Sequence, residues 1–238
     1  MHFSFLRPFA CAAVALGAAT SARADYAPFQ GYVEMPGNLA PMIMGNLATQ
    51  NLKHLNEAHA RAHAADSAPA GGSTLAPSTG APSGPRALAA AAPAERRAAL
   101  ESQLTRVLAG WSRIAAALRL PPDDVAGAVA ACVAGSYMVV HDTDVPDRDF
   151  VALVAQMRST LRSNERFMQA TAARRREIYE ELAIIGTLLA TGREAMRRGQ
   201  ASPQAIDALH RNARANLDRL LGPDAGRAVL TARGLEIR

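Results

Sequence analysis

Leu100, Leu104, Val107, Trp111, Ile114 and Leu118 recur at alternating spacings of four and three, the stripe that one face of an α-helix presents to a core. The pattern predicts a helix over about 94–118. At about three heptads it is short for a coiled coil standing alone, so a bundle helix is the better reading. Pro121-Pro122-Asp123-Asp124 stops this helix and opens the next, with proline tolerated in a first turn and acids favoured by the positive end of the dipole. The second helix, about 123–140, is apolar all round and carries Gly127, Ala131 and Gly135 at every fourth position, a small-residue ridge that admits a neighbouring backbone. Its apolar run is bounded by Asp124 and His141 and falls short of the roughly 20 residues a bilayer requires, so it predicts the central buried helix of a bundle.

Pro146 opens a third helix with Phe150, Val154, Met157 and Leu161 inward, ending at Asn164. A long fourth helix is predicted from Glu165 to Arg198, burying Phe167, Ile178, Leu182, Ile185 and Leu189. Ser202-Pro203 caps a fifth, which carries Ile206, Leu209, Ala213, Leu217 and Leu220 to the stop at Gly222-Pro223. The remainder, 225–238, reads as one more turn followed by an extended tail through Gly234-Leu235-Glu236-Ile237. The expected fold is all-α: a compact bundle of about five helices over 94–238.

Upstream the pattern dissolves. Between residues 66 and 93 the chain is dominated by Ala, Pro, Ser, Gly and Thr, with too few large apolar groups to offset the entropy of ordering it. This predicts a flexible linker behind a short, partly helical segment over 25–65, together a disordered N-terminal extension. Residues 1–24 have the form of a secretory signal: Arg7, an apolar run from Phe9 to Ala19, and Ala22-Arg23-Ala24 as a cleavage site before Asp25. The expected location is periplasmic or secreted, with cleavage after Ala24.

Charge and cysteine content change the picture modestly. The formal charge is +5; removal of Arg7 and Arg23 leaves +3 on the mature chain, and Lys53 is the only lysine. So mild a bias in an exported protein argues against nucleic acid and leaves weak contact with anionic surfaces as the electrostatic option. Cys11 falls inside the signal, so Cys132 alone survives maturation and no intramolecular disulfide can form. In its Ala-rich run Cys132 reads as a buried small hydrophobe.

Several strings occur in order along the bundle: Asp124-Val-Ala-Gly-Ala128, Gly135-Ser-Tyr-Met138, Gln156-Met-Arg158, Tyr179-Glu-Glu-Leu-Ala-Ile-Ile-Gly186 and Gly234-Leu235. Together they resemble a family of exported proteobacterial proteins known only as a domain of unknown function, over about 94–238. The resemblance implies a helical exported domain and brings no activity with it.

Four groups of residues invite a chemical reading. His59 and His63, one helical turn apart, have the spacing two imidazoles need to share a metal ion, with His54 and the preceding Met35, Met42 and Met44 suited to copper; solvated histidines are the simpler account. The loop from His141 to Asp149 holds four carboxylates, but Pro146, the missing glycine and Leu153 break the EF-hand pattern, and helix capping explains the acids. Glu177, Glu180, Glu181 and His141 are acid candidates for a wall-directed hydrolase, against which Arg174 with Glu177 and Arg176 with Glu180 read as ordinary surface pairs. Tyr137, Gln156, Arg158 and Tyr179 are polar groups on packed helices, able to form a pocket or, more simply, a buried hydrogen-bond cluster. The arginines at 174–176 and at 193, 197 and 198 read as solvated faces.

No cofactor is expected. The leading expectation is a non-catalytic binding or interaction module of the bacterial cell envelope, its partner an unknown envelope protein or ligand; the alternatives are a cell-wall-directed hydrolase using a helix-borne glutamate and copper or zinc handling by the His- and Met-containing N-terminal segment.

Overall fold

A computed structural model describes residues 73–238 apart from 77, 79 and 91. Among the described residues the chain forms seven α-helices: α1 (Gly84–Ala89), α2 (Ala94–Ala117), α3 (Val125–His141), α4 (Asp147–Arg162), α5 (Glu165–Gln169), α6 (Ala172–Arg197) and α7 (Pro203–Leu221). A 3-10 segment, Gly222–Arg227, leads into a hairpin of β1 (Ala228–Thr231) and β2 (Gly234–Ile237). No helix among these residues is long and apolar enough to cross a membrane.

The all-α expectation holds, and α3 is its centre: every residue from Val125 to Ser136 is buried. α6 crosses α3 closely, α7 and α4 also pack on α3, and α2 and α1 lie against α6. The small-residue ridge explains the close crossing. A Cβ on Gly135 would lie 2.7 Å from the carbonyl oxygen of Gly186, and one on Gly186 would lie 2.6 Å from both the carbonyl oxygen of Ala131 and the amide nitrogen of Cys132. Here the two backbones meet without side chains between them. Trp111 of α2 fills the space over Gly127 and meets the ring of Phe150 edge-on.

Capping sets most helix starts. Asp124 accepts the amide of Ala126, Asn164 that of Phe167, Thr171 that of Arg174 and Ser202 that of Ala205, each satisfying a donor that the first turn leaves open. Thr171 divides the predicted fourth helix: Ala170 and Thr171 are extended, so α5 and α6 are separate. Hence the helix count exceeds five.

Two further differences concern the ends. Residues expected to close the linker pack instead on the bundle: Thr74, Ala76, Gly84, Pro85, Leu88, Ala89 and Ala92 are buried, and α1 lies against α6. Small side chains supply little area, but main-chain hydrogen bonds hold this segment, which composition does not reveal. The predicted terminal tail pairs back as a hairpin on α4. Gln156 donates to the carbonyl of Leu235 at 3.0 Å and accepts its amide at 2.8 Å, so a side-chain amide takes the place of a neighbouring strand. Gly234 lies at φ +100° where a Cβ would meet Gln156 Oε1 at 2.6 Å, which only glycine accommodates.

Candidate functional site

The densest buried polar arrangement surrounds the turn Asp123-Asp124 at the start of α3. Asp123 has a left-handed backbone, φ +57°, which turns consecutive carboxylates to different sides. Asp124, almost fully buried, accepts the hydroxyl of Thr74 at 2.7 Å and pairs with Arg158 of α4 at 2.5 Å. Asp123 pairs with Arg176 of α6 at 2.6 Å, and the same guanidinium reaches Glu180 at 2.5 Å and the carbonyl of Ala76 at 3.2 Å.

Glu180 is the unexpected member. Its spacing from Arg176 suggested a solvated pair, yet it is completely buried. Its second oxygen accepts the amide of Gly84 at 2.6 Å, and a Cβ on Gly84 would fall 2.6 Å from that of Glu180. α1 therefore sits directly on the carboxylate, and Arg176 with the Gly84 amide compensates a charge that would otherwise be very costly to bury. Burial opposes the Arg176 cation, but Glu180 and Asp123 outweigh it and hold its pKa above the usual arginine value.

A strap of extended chain, residues 73–76, crosses this turn. Ala76 donates to the carbonyl of Asp123 at 2.9 Å and Val125 donates to that of Thr74 at 3.0 Å, an antiparallel bridge centred on Leu75 and Asp124. Alternation follows: Thr74 and Ala76 point inward, while Leu75 is 40 % exposed. Arg175 donates to the carbonyls of Ser73 and Met168 and lies over the ring of Phe167. The arginines of 174–176 thus do not form a uniform solvated face; two of them hold the strap.

The predicted polar cluster divides. Arg158 and Tyr179 belong to this junction: Tyr179 is buried beneath the Arg176 guanidinium, 5.0 Å away. Its pKa is raised by burial and by Asp123, against the influence of Ser112, Arg176 and Trp111. The Trp111 indole is close enough to favour the phenolate yet lacks the geometry of a full hydrogen bond. Gln156 serves the hairpin instead, and Tyr137 stacks on His141 at 4.3 Å.

The acid candidates also separate. Glu177 pairs with Arg174 at 2.8 Å, both partly exposed, as expected. His141 is exposed, its pKa lowered by desolvation and by Arg214. Glu181 is half-buried and its pKa is pushed up to about 7, chiefly by desolvation, with Glu177 and Glu180 adding and Arg174 opposing. In the acidic loop Asp142 and Asp144 pair with Arg193 at 3.2 and 2.6 Å. Arg193 is buried rather than solvated because it ties the α3–α4 loop to α6. Among the described residues no group of three or more His, Cys, Asp or Glu is placed to hold a metal ion; His54, His59 and His63 lie outside those residues. Cys132 is fully buried, its thiol pushed up to about 12 by desolvation, so it is not a nucleophile at neutral pH.

A family model described as a family of unknown function, DUF6683, matches residues 9–238. The match begins far upstream of the bundle and includes the strap. No curated protein and no solved structure matches the chain.

Proposed function

The chain belongs to DUF6683, a family of unknown function, and we propose that it acts as a non-catalytic interaction module of the bacterial cell envelope. The observation that carries this reading is the commitment of the junction's charges. Asp123, Asp124, Arg158, Arg176 and Glu180 are all paired with one another, with the hydroxyl of Thr74 or with the backbone of Ala76 and Gly84. Groups so neutralised hold a segment in place; proton transfer to a substrate would first require breaking those pairs. The signal-like residues 1–24 support export, and the modest positive charge suits an anionic surface or an acidic partner.

A second reading rests on Glu181. Desolvation on α6 pushes the Glu181 carboxyl up to about 7, in the direction a general acid needs in glycan cleavage. One experiment separates the two. Mature protein is incubated with isolated envelopes, and both sedimentation with the envelope and release of soluble wall fragments are measured. Saturable retention without fragment release, unchanged in Glu181→Gln, is expected. Fragment release that Glu181→Gln abolishes overturns the module in favour of the hydrolase.

A further inference from the structure

The strap is held as a bound peptide is held. Its contacts go to main chain at Ser73, Thr74 and Ala76, with one side-chain hydrogen bond from Thr74, and the neighbouring Leu75 faces solvent. Such a groove selects an extended segment with a hydroxyl residue, any residue, then a residue as small as alanine. Within a five-residue string the pattern occurs twice in succession: Ser73-Thr74-Leu75-Ala76-Pro77 is followed immediately by Ser78-Thr79-Gly80-Ala81-Pro82. Residues 73–76 of the first repeat occupy the groove, while Ser78, Gly80 and Ala81 of the second are exposed.

We propose that the groove formed by Asp123-Asp124-Val125, Arg175 and Arg176 is a recognition site for extended Thr-x-Ala segments, and that the second repeat of this chain is its alternative occupant. Exchange moves the chain by one repeat. Thr79 then takes the place of Thr74 at Asp124, and the carbonyl of Ala81 that of Ala76 at Arg176. The exchange requires the connection to α1 to extend, because Ala76 and Gly84 touch the same ion pair, Arg176 and Glu180. Three extended residues, from Ala81 to Gly84, span about 10 Å. The exchange feeds five residues of slack into the chain before the strap. It thereby lengthens the chain upstream of the anchored strap, which deepens the interaction-module reading and rests on it.

The test uses the full mature chain and a labelled peptide, acetyl-Gly-Gly-Ser-Thr-Leu-Ala-Pro-amide, followed by fluorescence anisotropy. Valine replaces threonine so that shape is kept and only the hydroxyl is lost. Thr74→Val alone is expected to bind the peptide as weakly as the unaltered protein, because the second repeat fills the groove. Thr74→Val with Thr79→Val is expected to bind about tenfold more tightly, since neither internal segment retains its hydrogen bond to Asp124. A peptide with valine for threonine should bind the double variant about tenfold more weakly. Circular dichroism of both variants confirms a folded bundle. If the double variant is folded and no peptide binds, or if peptide binding ignores the threonine, the recognition site is overturned while the envelope result stands on its own. If Thr74→Val alone is as open as the double variant, the second repeat is not an occupant. If the peptide fails to bind and the variants form concentration-dependent dimers, exchange between copies replaces the proposal.

Discussion

Helices α3 and α6 meet twice, by opposite means. In their middle, Gly135 and Ala131 face Gly186 with no side chain between the backbones; at their N-terminal ends, Asp123 faces Arg176, which also holds Glu180, while Asp124 holds Thr74 of the strap and Arg158 of α4. The first contact gains from close packing and has no alternative partner. The second replaces protein–water hydrogen bonds by protein–protein ones, a small net gain per bond, so its segments can be released at modest cost. The contrast assigns architecture to the ridge and exchangeable contact to the strap.

Substitutions should separate the two regions by size of effect. Gly186→Ala is expected to cost most, about 3 kcal/mol or more in urea unfolding, because the added carbon meets backbone that cannot swing away; an effect below about 1 kcal/mol would mean that the crossing is looser than described. Glu180→Ala leaves Arg176 with Asp123 as its one carboxylate partner and empties the space under Gly84, for an expected loss of about 2–3 kcal/mol. Were that loss negligible, the pair would be solvated after all.

Glu181→Gln tests the same helix with the opposite sign. The folded carboxyl has a pKa raised to about 7 from 4.5, so the native state binds the proton more tightly, and stability falls as pH rises from about 4.5 to 7. Glutamine should therefore change little at pH 4 and stabilise by about 1–2 kcal/mol at pH 8, discounted for partial exposure; thermal melts at the two pH values decide it. The smallest effect belongs to Arg174→Ala, below about 0.5 kcal/mol, since its pair with Glu177 is partly exposed. A larger loss in the same melts would give this surface pair the weight reserved here for the buried ones.

What the sequence reveals divides along the same line. The ridge is legible because Gly127, Ala131 and Gly135 recur at helical spacing, although nothing in that spacing names Gly186 of α6 as its partner. Pro146 and Ser202 mark helix starts through local chemistry. The junction is hidden for two physical reasons. An arginine four residues before a glutamate looks the same whether solvated or buried, and burial of Glu180 is decided by α1, 96 residues away in sequence. The strap is hidden because main-chain hydrogen bonding leaves little trace in side-chain composition: residues 73–76 read as linker by content and behave as a strand by partner. The hairpin was concealed in a similar way, its outer edge satisfied by Gln156.

Native-state hydrogen exchange measures the contrast most directly, by comparing the amides of Ala76, Val125 and Gly84 with those at the ridge, such as Cys132. The account predicts that the junction amides open locally and exchange about 100-fold or more faster than the ridge, and that Thr74→Val with Thr79→Val speeds Ala76 and Val125 further while leaving Cys132 unchanged. Equal opening free energies in both regions, shifted together by the double variant, would show that strap and ridge are one cooperative unit and would contradict it.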